Sequence, residues 1–225
     1  MKTLCLICIS LLSALPVSAD TKPTAEELEA WFNDDSELKA EEVNEGALHF
    51  LARSADNIMH SENTLIISPQ SIDEGWVLLK QCYHHLDTIS QAQVVYQYKS
   101  MRNLKILDTQ GIGKAWVEQQ SIQLINVQAN ASLCTEAEIR VFYQNEDHSF
   151  SLVNGPFQRR FLDGYYPLRV SLKIHYPKQL LSFARVSPKQ TKEFSITDTP
   201  YGLYVDTIFE GKLNTEIWFK AIPKN

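Results

Sequence analysis

Residues 154–166 read Asn-Gly-Pro-Phe-Gln-Arg-Arg-Phe-Leu-Asp-Gly-Tyr-Tyr, and no other stretch of the chain has this concentration of recognition chemistry. Asn154-Gly155-Pro156 and Asp163-Gly164 are turn signals. Between and after them stand Arg159, Arg160, Asp163, Tyr165 and Tyr166. A guanidinium offers a planar fork of donors, and a tyrosine offers a flat face with a polar tip. Such residues on loops suit binding of a protein surface or stacking on a sugar ring. The structural alternative is a hairpin in which an arginine pairs with Asp163 and the tyrosines pack on the edge of the core. As a binding site, the five residues predict that alanine at Arg159, Tyr165 or Tyr166 weakens binding without unfolding the chain.

The remaining reactive residue types form no catalytic constellation. His84 and His85 are adjacent, so in a strand they face opposite sides and cannot hold one ion together. His148 and His175 stand apart, and neither H-x-H nor H-E-x-x-H occurs. No metal site and no cofactor is therefore expected. Glu136 and Glu138 share a strand face about 7 Å apart, within the range used by glycosidases. With Arg140 on the same face, they read more simply as salt-bridged surface. There is no G-x-S-x-G elbow, and Gly111-Ile112-Gly113-Lys114 lacks phosphate-loop spacing. Cys82 beside His84 resembles a thiol–imidazole pair, or with Cys134 a three-ligand set. A disulfide between Cys82 and Cys134 is the simpler expectation for an exported chain.

The elements that must position these residues are mostly strands. Leu168, Val170, Leu172, Ile174 and Tyr176 alternate with Arg169, Ser171, Lys173 and His175. Val94, Tyr96 and Tyr98 alternate with Gln93 and Gln97, and Leu133, Ala137, Ile139, Val141 and Tyr143 share one face. Further short strands recur between turn signals, including one at Gly111-Ile112-Gly113. The expected fold is mainly β, an antiparallel β-sandwich over residues 47–225, preceded by an acidic helical segment over 20–46. That segment carries a Thr24/Glu27 capping box and an apolar stripe of Leu28, Trp31 and Phe32. Similar spacing around Val94 and Leu172, and around Leu133 and Leu213, suggests an internal repeat with halves 75–147 and 160–222, and so two similar sheets.

Lys2, an apolar run to Leu15, Pro16 and Val17-Ser18-Ala19 have the order of a secretory signal, expected to be removed after residue 19. The run is short for a membrane anchor, and no later stretch is long enough to span. Cys5 and Cys8 would leave with the signal. The 225-residue chain carries 21 Lys+Arg against 27 Asp+Glu, a net charge of −6, which speaks against nucleic acid as the main partner. Together these features predict an exported, soluble protein of the periplasm, or a secreted one. The expected role is non-catalytic: binding or accessory work through a protein partner in the cell envelope, in which an edge strand could take part. The alternatives are an envelope glycan-binding module using Tyr165, Tyr166 and Tyr201, and a glycan-acting hydrolase using Glu136, Glu138 or Asp163.

Overall fold

A computed structural model describes residues 46–52 and 57–223. The predicted signal and nearly all of the predicted helical segment lie outside them. The described chain is mainly β, with fifteen strands and a single helical turn, α1 (Ser71–Glu74). Its strands include β2 (His60–Ile66), β3 (Trp76–Leu86), β4 (Ile89–Val95), β5 (Met101–Glu118) and β6 (Ser121–Arg140). The large sheet runs β1 (His49–Leu51), β14 (Gly202–Glu210), β11 (Leu168–His175), β2, β3, β6 and β4, with β13 (Ile196–Thr199) on β14 and β5 on β6. A second sheet has the order β12 (Leu181–Ser187), β15 (Leu213–Ala221), β8 (Phe150–Phe157) and β7 (Phe142–Gln144). Strands from both proposed repeat halves hydrogen-bond within the large sheet.

Not all pairing is antiparallel: β2 and β11 run parallel, Arg169 opposite His60 through His175 opposite Ile66. A parallel pair needs a long return path, and the hundred or so residues between these strands supply it. The alternation read over β11 holds, with Leu168, Val170, Leu172 and Ile174 buried. Two other periodic readings end early. β4 stops at Val95, so Tyr96 and Tyr98 lie on the segment that leaves the strand. β6 stops at Arg140, and the backbone N–H groups of Val141 and Phe142 both donate to the Gly75 carbonyl. The chain there enters the second sheet, which leaves Tyr143 exposed rather than on the buried face.

The central device of the fold is the β5–β6 ribbon. β3 and β4 lie end to end along one side of β6, β3 against residues 131–140 and β4 against 121–127. A straight strand of 20 residues would be about 65 Å long. Yet Tyr96 donates its N–H to Gln120, while its side-chain hydroxyl meets Thr135 Oγ1 at 2.9 Å. One tyrosine side chain cannot bridge the roughly 50 Å that a straight strand would put between Gln120 and Thr135, so β6 folds back on itself. The fold falls where the β3 and β4 registers part. Gly111 (φ +67°), Asn126 (φ +55°) and Asn130 (φ +58°) supply the left-handed residues. The expected turn at Gly111-Ile112-Gly113 is thus a bend within β5. A Cβ on Gly111 would stand 3.2 Å from that of Ala131, a tight contact added to the strain that φ +67° imposes on any other residue.

Folding back sends the two halves of β6 into one apolar interior, with Ile122, Leu124, Leu133 and Ile139 buried. The same cluster takes Leu79, Leu172 and Val205 from the large sheet and Leu152, Ile217 and Phe219 from the second. Phe142 stacks on Phe150 with centroids 5.3 Å apart and meets Phe219 edge-on at 6.0 Å. On the opposite face of the large sheet, Cys82 and Cys134 are direct cross-strand partners, Cα atoms 4.1 Å apart and disulfide-bonded.

Candidate functional site: a cleft beside the arginine–tyrosine hairpin

The five residues singled out from sequence gather on one hairpin, β9 (Arg159–Phe161) and β10 (Gly164–Tyr166). The pleat divides them. Arg159 is paired across the hairpin with Tyr166, and its guanidinium lies 5.5 Å from the rings of both Tyr166 and Phe161. Arg160 is paired with Tyr165 and lies 5.7 Å from its ring, with Lys212 at 5.4 Å from the same ring. Asp163 does not take an arginine. It accepts a 2.6 Å hydrogen bond from the Tyr166 hydroxyl, and that bond holds the phenol above its ordinary pKa. Arg159 instead reaches back to the β3–β4 junction. It donates from Nε and Nη2 to Asp87 at 3.1 and 2.7 Å, and from Nη1 to the Pro167 carbonyl at 3.2 Å.

Next to the hairpin opens a cleft of about 310 Å³, with Arg160 and Gln158 on its wall. Its other lining comes from the inward face of β3 and from residues 93–98, with Tyr83, Tyr96 and Tyr98 prominent. Gln81 interrupts the apolar inward series Val77, Leu79 and lies at the base of this cleft, 4% exposed.

The orientation of Gln81 is dictated by its neighbours. Asn63 Nδ2 donates to the Ser61 and Ser171 carbonyls at 3.0 and 3.3 Å, so Asn63 Oδ1 must be the acceptor. Gln81 Nε2 donates to that oxygen at 2.6 Å and to Ser61 Oγ at 3.2 Å. The opposite atom, Gln81 Oε1, is buried without a partner. The same logic fixes Asn154: its Oδ1 accepts from the Gly155 N–H at 3.1 Å and from the Tyr98 hydroxyl at 2.7 Å, which leaves Nδ2 as a buried, unpaired donor. Gln158 Oε1 is a third buried atom without a partner. Buried polar groups are nearly always paired, and a cluster of exceptions marks a place where something else supplies the partner.

The tyrosines of the cleft are held uncharged. Burial raises the Tyr96 phenol to about 12 and pushes Tyr98 and Tyr83 up as well, with the neighbouring tyrosines adding to the effect. Thr135 Oγ1 donates to the Gln81 carbonyl at 3.3 Å, so its contact with Tyr96 has the phenol as donor. Of the lining residues only Arg160 carries a charge. One boundary of the cleft is strand β4, which pairs with β6 on one side and, among the described residues, ends the sheet on the other. Val95, 56% exposed, stands on that rim.

The other candidates from sequence are otherwise engaged. Glu136 takes Lys105 at 2.8 Å and Lys80 at 3.6 Å, and Glu138 takes Arg102 at 3.0 Å. These partners hold both carboxyls below their ordinary range, the opposite of what a glycosidase acid needs. Arg140, expected beside them, donates to the Glu74 carbonyl instead. His84 faces His60, ring centroids 6.0 Å apart, and among the described residues no group of three or more His, Cys, Asp or Glu is placed to hold a metal ion. Tyr201 stands far out in the solvent at the β13–β14 turn. A shallow groove on the second sheet, where Arg185 covers the Trp218 ring at 3.6 Å, has no unpaired buried side-chain group among the described residues.

Sequence reasoning thus found the hairpin and missed the cleft. One signal was available, a glutamine on the inward face of an otherwise apolar strand. The partners that turn it into a directed acceptor lie 18 residues away on β2. In comparisons with known proteins, no family model and no curated sequence matches the chain.

Proposed function

We propose that this chain is a non-catalytic binding protein of the cell envelope that works through a protein partner, gripping an extended segment of that partner along the open edge of β4. The observation that carries this reading is the cleft itself: among the described residues the outer edge of β4 pairs with no strand, and it flanks a pocket whose buried amide atoms lack partners. An added strand would satisfy the β4 backbone and place alternate side chains over the tyrosines, the arrangement of β-augmentation. The two sheets, read as a sandwich, give that edge a rigid support. The secretory order of residues 1–19 and the Cys82–Cys134 bond support a periplasmic setting.

The test is site-specific photocrosslinking in the native envelope. A benzophenone side chain is placed at Val95 or Gln97 on the cleft rim, and at Tyr201 as the remote control. The expected result is one protein adduct from positions 95 and 97, mapped by mass spectrometry to one segment, and none from 201. Equal adducts from all three sites, or none from the rim, would overturn the reading.

A further inference from the structure

We infer that the segment bound along β4 buries a primary carboxamide, the side chain of an asparagine or glutamine, at the floor of the cleft. This rests on the binding reading above and names the group the site selects. Gln81 Oε1 cannot turn away, because Asn63 Oδ1 claims its amide nitrogen and two backbone carbonyls hold Asn63. It is a buried, unpaired acceptor on a residue that lines the pocket, and it asks for a donor. Gln158 Oε1, on the wall of the same pocket, asks for a second.

The charge inventory removes the ionic donors. No carboxylate lines the cleft, so a lysine or arginine head would be buried without a counter-ion. A carboxylate could pair with Arg160 on the wall, but it has no hydrogen to give the two acceptor oxygens and would leave both unpaired. A hydroxyl brings a single hydrogen, whereas a primary amide brings two donors and an acceptor. The flat amide also suits the rings of Tyr83, Tyr96 and Tyr98. A thioether of similar length would fill the space and leave both oxygens unpaired, the kind of difference by which hydrogen-bonding sites reject apolar isosteres.

The experiment is a titration of the isotope-labelled protein, followed by amide NMR, with four capped peptides: acetyl-Val-Thr-X-Thr-Val-N-methylamide, where X is Gln, Glu, Lys or Met. The glutamine peptide is expected to shift the side-chain amide signals of Gln81 and Gln158 and to bind at least tenfold tighter than the other three. Gln158→Leu, which breaks no hydrogen bond at Oε1, should reduce its advantage over the methionine peptide to threefold or less. Equal binding of the glutamine and methionine peptides overturns the inference. Shifts along the β4 backbone with all four peptides would then leave the strand-edge reading standing. No β4 shift with any peptide removes both. The same side-chain shifts produced by N-acetylchitobiose but by no peptide would make the cleft a glycan site and overturn both.

Discussion

Arg159, one of the candidate binding residues, makes the contacts of a clasp within the chain. It joins the β9–β10 hairpin to Asp87, at the junction of β3 and β4, and to the carbonyl that precedes β11. Its side chain is 18% exposed and that of Asp87 39%. Fully exposed ion pairs contribute about 0–1 kcal/mol, and breaking a fully buried one costs about 3–5 kcal/mol. A bidentate pair between these limits, with a third hydrogen bond and with stem packing on Phe161 and Tyr166, gives about 2 kcal/mol for Arg159→Ala. At about 2–4 °C per kcal/mol for a chain of this size, Tm should fall by about 4–8 °C. Arg159→Lys keeps the charge but not the fork, and should lose about half as much. Arg160→Ala removes an exposed side chain and should stay within about 0.5 kcal/mol of the parent. The assay is thermal and urea unfolding of these variants together with Asp87→Ala and the Asp87/Arg159 double variant. The reasoning requires a coupling of about 1 kcal/mol between Asp87 and Arg159. Additive single effects, or a larger loss at Arg160 than at Arg159, would refute it.

Two further outcomes follow from the same contacts. Replacing Cys82 and Cys134 together by serine opens a loop of 52 positions, and loop-closure entropy then predicts a loss of about 4 kcal/mol, readable as a shift in the urea midpoint; a shift under 1 kcal/mol would argue that the open ribbon is already ordered when unfolded. His60 has its pKa lowered below the ordinary 6.5, first by burial and then by the Arg169 charge, with Asp206 and Glu62 opposing. The folded state therefore binds fewer protons there, so the stability His60 supplies is present above pH 6.5 and falls away as the pH drops through the lowered value. His60→Gln should flatten the decline in urea midpoint between pH 7.5 and 5, and an unchanged slope would assign that decline to other groups.

Where sequence reading succeeded, the signal was local. The alternation over β11 and the span Trp76–Leu86 are period-two patterns with one buried face, and β3 begins and ends at those residues. The disulfide was legible because a chain read as exported, with two cysteines beyond the predicted signal, leaves little choice. The turn signal Asp163-Gly164 marked the hairpin correctly. What escaped was long-range. Pattern alone gives no sign that Gly111 and Asn130 bend a ribbon rather than end two hairpins, since the same left-handed residues serve both purposes. Nor could it show that Arg159 would take Asp87, 72 positions earlier, over Asp163 close by. The parallel β2–β11 pair was hidden for the same reason: its register is set by strands that are neighbours only after the ribbon has closed.

The bend and the disulfide bear on the same site from opposite faces of one strand pair. Thr135 projects inward, donates to the Gln81 carbonyl and receives the Tyr96 hydroxyl. Its neighbour Cys134 projects outward and is bonded to Cys82, the neighbour of Gln81. A slip of one residue between β3 and β6 would put Gln81 and Thr135 on opposite faces of the sheet, and the covalent bond forbids that slip. The cleft therefore depends on its floor strands being locked in register, with the segment carrying Tyr96 and Tyr98 tied down by the Tyr96 N–H to Gln120, the Tyr96 hydroxyl to Thr135 and the Tyr98 hydroxyl to Asn154 on β8. Reduction should loosen the floor before it unfolds the chain: the side-chain amide signals of Gln81 should broaden under dithiothreitol while the second sheet, held by Phe142, Phe150 and Phe219, keeps its dispersion. A site built this way is complete only where the disulfide persists.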